Sequence, residues 1–162
     1  MRRNLDFDLI TGMRLFFISL AIWLSASTFG QSLPAWTPGT LDIHHISTGS
    51  GNAAFVVMPD GTTLLIDAGD VNSPQKPSPV LLKTSPRLPH DSLSAGKSIR
   101  LYVEKVMPGI RSMDYSLITH FHGDHFGVVD PKAKTSSKGY KLAGVTEVEA
   151  YLPVGVVLDR GV

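Results

Sequence analysis

Apolar side chains after residue 40 are grouped in short runs that turn residues separate. Residues 41–46 mix apolar and polar side chains, which is typical of a strand. Two continuous apolar runs follow at residues 53–58 and 62–66, with Pro59-Asp60-Gly61 between them. Such a pair around a short Asp-Gly turn predicts a β-hairpin. Because neither run alternates with polar residues, both faces of the hairpin are expected to be covered inside a layered α/β structure.

The rest of the chain alternates between predicted helices and predicted strands. Residues 71–95 contain five prolines, which predict a long loop. Apolar residues at helical spacing predict a helix over residues 99–106, which Pro108-Gly109 ends. Further on, the pattern predicts a short strand over residues 116–119, a helix over 147–152 with Thr146 as its cap, and a strand over 154–158.

The first thirty residues have the pattern of a secretory signal peptide. Three arginines precede an apolar run over residues 15–24, and small and polar residues follow it up to Gln31. This run is about half of the roughly twenty residues that a membrane span needs, so a membrane anchor is the weaker alternative. We therefore predict a signal peptide at residues 1–30 and export to the periplasm or the cell exterior.

Composition narrows the possible classes of protein. The chain has 162 residues with a formal net charge of +1 and no cysteine. That length predicts one domain, at residues 31–162 after the signal peptide. The lack of cysteine excludes disulfides, a thiolate zinc site and a cysteine nucleophile. The near-neutral charge argues against a stable nucleic-acid complex.

One short segment carries the chemistry. His120, His122 and His125 are three of the six histidines, and Asp124 lies between the last two of them. Imidazole and carboxylate are the ligands that zinc prefers where no thiolate is present. His120 and His122 occupy alternate positions and can point the same way while Phe121 faces the core. The chain then turns, so Asp124 and His125 approach from a second direction. Four ligands in two pairs can serve two neighbouring metal ions, and an adventitious histidine-rich tract is the weaker interpretation.

These residues also resemble a known family. His120-Phe121-His122-Gly123-Asp124-His125 matches the H-x-H-x-D-H signature of the metallo-β-lactamase fold hydrolases. The flanking stretch over residues 41–69, which contains Gly51-Asn52-Ala53 and Leu65-Ile66-Asp67-Ala68-Gly69, is most similar to the branch with the hydrolase domain of the competence protein ComEC. The resemblance covers roughly residues 41–129.

The resemblance implies an αββα sandwich with zinc at one edge. His120 and His122 would bind the first zinc ion, and Asp124 and His125 would bind the second. Asp67 would orient the metal loop, although Asp at a strand end is as often a plain turn residue. A zinc ion with an open position lowers the pKa of its bound water to about 7 and yields hydroxide. Asp124 would also accept a hydrogen bond from that water.

The family completes its site with a further histidine and a bridging carboxylate downstream of the motif. No histidine follows His125, and Asp159 is the only downstream carboxylate in a suggestive place, with a turn as the alternative. Asp114, which precedes the motif strand, is expected to be a turn or cap residue. The sequence therefore predicts that residues 31–162 are the N-terminal part of a longer domain. Such a part would expose apolar strand faces and associate or aggregate.

The predicted function is an exported metal-dependent hydrolase that uses a metal-bound hydroxide. A phosphodiester substrate is favoured by the ComEC-like flanks and by four nearby lysines, at positions 132, 134, 138 and 141. A solvated loop is the ordinary explanation of such a lysine run. Hydrolysis of a lactone or a β-lactam is the alternative within the fold. A non-catalytic metal-binding or interaction module is the alternative from another class.

Overall fold

The computed structural model describes residues 14, 33–49, 51–69 and 92–161. The chain divides between residues 33 and 34, and every element described below belongs to the unit Pro34–Val162. The predicted signal peptide at residues 1–30, apart from Arg14, lies outside the described residues, as does most of the predicted loop over 71–95. Within the described ranges, no helix has the length and apolar character that crossing a bilayer requires.

A five-stranded mixed sheet forms the centre of this unit. Its strands lie side by side in chain order, and the first three are antiparallel while the third, fourth and fifth are parallel. The second and third strands form the predicted hairpin. The strands are β1 (Asp42–His45), β2 (Ala54–Val57), β3 (Thr63–Ile66), β4 (Met113–Leu117) and β5 (Val154–Leu158).

Within the described residues, three helices lie between the parallel strands along the chain. Helix α1 (Ala95–Val106) lies between β3 and β4 along the chain, while α2 (Gly123–Phe126) and α3 (Gly144–Tyr151) lie between β4 and β5. The predicted helices are present, but each begins earlier than its apolar pattern indicated. Thr146 is therefore inside the first turn of α3 rather than before it, and its hydroxyl accepts a hydrogen bond from the backbone N–H of Ala143 at 3.0 Å.

The hydrophobic core lies between one face of the sheet and helices α1 and α3. Phe55 and Leu65 of the sheet are fully buried there with Ile99 and Val103 of α1 and with Val148 of α3. The buried apolar side chains of α1, among them Ile99 and Val103, recur at helical spacing because they face the sheet. The core is therefore built by the residues whose spacing predicted the elements.

The opposite face of the sheet is apolar but more open. Ile43, Tyr115, Val156 and Leu158 on this face are between 39% and 57% exposed. Strand β2 is buried on both faces, as predicted for the hairpin, whereas β3 is buried on one face and half-buried on the other. The predicted α/β class is confirmed at this level, and the αββα sandwich stays a prediction.

Candidate metal centre

The carboxyl ends of the parallel strands meet at one edge of the sheet, where α/β proteins commonly bind ligands. Asp67 directly follows β3, and its backbone N–H donates to Leu117 O of β4 at 2.9 Å. Ile118 follows β4, and its N–H donates to Leu158 O of β5 at 2.8 Å. The three strand ends thus run side by side, and the histidine motif leaves the sheet between them.

Three residues of the motif form a group that can hold a metal ion. One ligand atom from each of His120, Asp124 and His125 lies within 4.8 Å of the others. His125 Nε2 is 3.7 Å from Asp124 Oδ2, and the rings of His120 and His125 have centroids 3.9 Å apart. Two imidazoles and a carboxylate are a donor set that suits divalent cations such as zinc.

His122 is adjacent to this group but not part of it. Its ring meets the ring of His120 edge-on, with centroids 4.8 Å apart. The backbone of His122 is extended and precedes α2, which then turns Asp124 and His125 back toward His120. The structure therefore groups one residue of the first predicted pair with both residues of the second. The ligand role of His122 stays a prediction.

Asp67 lies beneath the group and is completely buried. Its Oδ1 accepts a hydrogen bond from the Thr119 backbone N–H at 2.9 Å. Its Oδ2 is bonded to Thr119 Oγ1 at 2.8 Å, to His125 Nδ1 at 2.7 Å and to Asn52 Nδ2 at 3.2 Å. Asp67 also has φ 58°, and among the described residues no other non-glycine residue is in the left-handed region. A buried, strained residue with this many partners is typical of a functional centre.

The hydrogen bonds around Asp67 keep its side chain ionised. Burial by itself raises the pKa of this carboxyl, but the bonds from the Thr119 N–H, His125, the Thr119 hydroxyl and Asn52 together hold the pKa below its usual value. Because the carboxylate can only accept, Nδ1 of His125 carries the ring proton. In the neutral ring Nε2 is then the nitrogen that can bind a cation, and it lies 3.7 Å from Asp124 Oδ2, which is the orientation found in carboxylate–histidine–metal arrangements.

Thr119 extends this arrangement to the second imidazole. Its hydroxyl lies 3.2 Å from His120 Nδ1 and 3.1 Å from His125 Nδ1. The single hydroxyl proton is donated to Asp67, so the oxygen accepts from the His120 N–H. Nε2 of His120 is thereby left for a ligand as well. Neither Thr119 nor Asn52 was predicted to have a role at this site, although Thr119 directly precedes the histidine motif and Asn52 lies in the flanking stretch that carries the family resemblance.

Backbone contacts hold α2 against the end of the hairpin. Asn52 N–H donates to Asp124 O at 2.7 Å, and Ala68 N–H donates to His125 O at 2.8 Å. Gly69 lies so close that a Cβ there would collide with the carbonyl group of Asp124. Gly144 has φ +48°, and a Cβ on it would collide with the carbonyl of Phe126. Close contacts between backbone atoms therefore fix the positions of Asp124 and His125 on α2.

Phe121 does not face the core, so that prediction was wrong. The Phe121 side chain is 46% exposed, and its ring meets that of Phe126 edge-on with centroids 5.7 Å apart. Strand β4 ends at Leu117, and the alternation of inward and outward side chains does not continue beyond a strand.

Asp159, the downstream carboxylate of the predicted site, and His44 of β1 each have a hydrogen-bond partner away from the metal-binding group. Oδ1 of Asp159 accepts a hydrogen bond from Gly161 N–H at 2.6 Å, which forms the turn expected as the alternative to a bridging role. His44 Nδ1 lies 3.2 Å from the hydroxyl oxygen of Tyr102 on α1, on the covered side of the sheet. Neither residue belongs to the metal-binding group.

Comparison with protein families, with curated proteins and with solved structures gave no match to this chain.

Proposed function

We propose that the chain is an exported metal-dependent hydrolase whose metal is held by His120, Asp124 and His125. One observation supports this above the others. The buried carboxylate of Asp67 and the hydroxyl of Thr119 engage Nδ1 of both imidazoles, so each Nε2 is available to a cation. Such supporting hydrogen bonds fix the tautomer and the ring orientation of metal ligands.

The residues around the centre have distinct roles in this proposal. A divalent metal, when bound, supplies the positive charge that lowers the pKa of water and stabilises negative charge on a substrate oxygen. Asp67 and Thr119 hold the two imidazoles in their orientation. The side chain of Asp124 is 51% exposed, so it can accept a hydrogen bond from an attacking water as well as contact the metal. In this proposal the exposed His122 would complete the ligand set or bind a second ion.

For the substrate we propose a phosphodiester. This is supported by the resemblance of the flanks to the ComEC-like branch of the metallo-β-lactamase fold and by the lysines that follow the centre. The same proposal has four further parts. The fold is an αββα sandwich, the metal is zinc, a complete site holds two ions, and the protein is exported. A lactone or β-lactam substrate is the alternative within this fold.

A second candidate is a metal-binding module without catalysis. It is favoured by one observation, since Asp159 is bonded within its own turn and adds no carboxylate to the three-residue group. The two candidates predict the same metal binding and differ only in turnover.

Metal uptake tests the centre itself. The His120→Ala, His125→Ala double variant is expected to lose at least about a hundredfold in zinc affinity, because two of the three grouped ligands are removed. The exposed His45→Ala variant is the matched control and should bind zinc as the wild type does. Competition with a chelator, read out by metal analysis, gives both affinities. Equal zinc affinity in the wild type and both variants would contradict the proposed metal centre.

Turnover separates the two candidates. Zinc-loaded protein is expected to hydrolyse bis(p-nitrophenyl) phosphate, with less or no activity on nitrocefin and on an aryl lactone. Hydrolysis of the lactam or the lactone alone would replace the phosphodiester by the alternative substrate class. Tight zinc binding with no hydrolysis of any of the three would favour the non-catalytic module.

A further inference from the structure

Asn52 is linked to both of the proposed ligands that α2 carries. Its backbone N–H donates to the carbonyl oxygen of Asp124 at 2.7 Å. Its side-chain Nδ2 donates to Oδ2 of Asp67 at 3.2 Å, and the same oxygen lies 2.7 Å from Nδ1 of His125. Asn52 therefore reaches one ligand residue directly and the other through a single carboxylate.

Helix α2 depends on such contacts, because little within the helix fixes its position. It has four residues, none of them is buried, and its N-cap residue His122 makes no capping hydrogen bond with its side chain. An isolated helix of this length is not stable in water. The orientation of Asp124 and His125 must therefore come from other segments of the chain, and Asn52 contributes to the orientation of both.

The backbone of Asn52 is itself held in place. Its carbonyl oxygen accepts a hydrogen bond from the N–H of Gly69 at 2.9 Å. On one side of it, Gly51 lies so close to Gly69 that a Cβ would collide with the Gly69 carbonyl, and on the other side Ala53 is buried. Because the Asn52 backbone has little freedom, its side chain loses little further conformational entropy when it binds Asp67.

An amide suits this position chemically. The ionised carboxylate of Asp67 can only accept hydrogen bonds, and an amide nitrogen donates one without adding a charge. A cationic side chain would compete with His125 for the carboxylate, and an aspartate would place a second negative charge beside the first. Alanine would leave Oδ2 of Asp67 with one partner fewer.

We propose that Asn52 is a positioning residue of the metal centre, which holds Asp124 through its backbone and the Asp67–His125 pair through its amide. The inference rests on the proposed function for the identity of the ligands, but it concerns metal binding and is tested without turnover. The substitution Asn52→Ala removes only the amide, since the backbone bonds to Asp124 and Gly69 do not need a side chain.

Zinc affinity, measured by chelator competition, tests this role. We expect Asn52→Ala to weaken zinc binding about fivefold, which is less than the loss of roughly 10- to 100-fold for groups bonded directly to a metal ligand. Thr63→Val is the matched control, because it removes a hydroxyl that is bonded to Asp114 at the other end of the strands. It should leave the affinity within about twofold of the wild type. Unchanged affinity in Asn52→Ala, or equal losses in the two variants, would overturn the inference.

A double-mutant cycle with Asp67→Ala shows whether the amide acts through the carboxylate. If it does, Asn52→Ala should change the zinc affinity by less than about twofold once residue 67 is alanine. The same fivefold loss in both backgrounds would overturn the inference, since the amide would then act by another route. Far-UV circular dichroism checks that each variant is folded, and the comparison with Thr63→Val decides the question if Asp67→Ala is not.

The visible spectrum of the cobalt(II)-loaded protein adds a measurement that a loss of stability alone does not change, because its bands report the geometry of the ligands. Asn52→Ala is expected to shift these bands, and Thr63→Val is expected to leave them as in the wild type. Identical bands in Asn52→Ala and wild type would contradict the positioning role.

These results also separate the inference from the proposed function. If zinc binding depends on Asn52 as described but no substrate is hydrolysed, the hydrolase proposal fails and the positioning role stands. If the wild type binds zinc and Asn52→Ala binds it equally well, the positioning role fails and the metal centre stands. If the wild type binds no zinc, both are refuted.

Discussion

Strands β3 and β4 carry an aspartate–threonine pair at each end, and the two pairs have different surroundings. At the start of the strands, Asp114 Oδ2 is bonded to the N–H of Thr63 at 2.8 Å and to its hydroxyl at 2.7 Å. At their carboxyl end, Asp67 accepts from the N–H of Thr119 at 2.9 Å and from its hydroxyl at 2.8 Å. Hydrogen bonds lower the pKa of both aspartates. Each pair therefore joins the same two strands by the same bonds.

The two aspartates differ in their burial, in their backbone conformation and in their further hydrogen bonds. Asp114 is exposed, while Asp67 is fully buried, has a left-handed backbone and binds both His125 and Asn52. Joining two strands requires neither strain nor burial of a charge, as Asp114 shows. Strain and burial of charge lower stability unless other contacts compensate for them. The additional features of Asp67 are therefore explained by the imidazole that it holds.

Replacing each aspartate by alanine should give the largest difference between the two sites, measured as loss of folding stability. Asp67→Ala is expected to lower the free energy of unfolding by about 3 kcal/mol, because it removes a buried charged acceptor and the four hydrogen bonds that three residues make to it. Asp114→Ala should cost about 1 kcal/mol, because water replaces the lost bonds at an exposed site. Urea unfolding of both variants measures the difference. Equal losses would mean that the two pairs are equivalent in the fold.

Aspartate-to-asparagine variants compare the two sites by their effect on metal affinity, because the substitution removes the charge and keeps the volume of the side chain. Asp67→Asn is expected to weaken zinc binding by roughly 10- to 100-fold, since an amide holds the His125 ring less firmly than a carboxylate does. Asp114→Asn makes the same chemical change at the other end of the strands and should leave the affinity within about twofold. Chelator competition measures both values. A large loss in the Asp114 variant, or none in the Asp67 variant, would contradict the proposed role.

The pH dependence of stability is the smallest expected effect. Because the folded-state pKa of Asp67 is lowered, its contribution is fully present above the unfolded pKa of about 3.9 and is lost as the pH falls through the folded value. Unfolding free energies measured between pH 5 and pH 2 should therefore fall more steeply for the wild type than for Asp67→Asn. Asp114 has the same sign of shift, but its exposure makes the corresponding change in slope smaller. Parallel curves for wild type and Asp67→Asn would show that Asp67 is not held as a carboxylate by its partners.

The elements with a local pattern were predictable from the sequence. The hairpin of β2 and β3, helix α1 and strand β5 all follow from runs or spacings of apolar residues and from nearby turn residues. Their boundaries were less predictable, because helix starts depend on caps and packing as much as on apolar spacing. The early start of α3, which moves Thr146 into its first turn, is an example.

The arrangement within the centre was not predictable in the same way. The sequence places all four proposed ligands within six residues, but which atoms come together depends on where β4 ends and α2 begins. The role of Asp67 depends on Thr119 and His125, which are 52 and 58 positions further along the chain. No local pattern reports such a pairing. Aspartate is one of the residue types that adopt a left-handed backbone more often than others, but the residue type alone does not tell which aspartate of a chain does so.

The close approach of Gly69 and Gly144 to the backbone of α2 determines which positions tolerate change. Neither glycine has a side chain that could bind a cation, yet a methyl group added to either would collide with a backbone carbonyl of the ligand-bearing helix. In a survey of all single substitutions, loss of metal binding is therefore expected at the two glycines as well as at the histidines and the aspartates. Redesign of this centre for another ion can vary the ligands freely only while both glycines are kept.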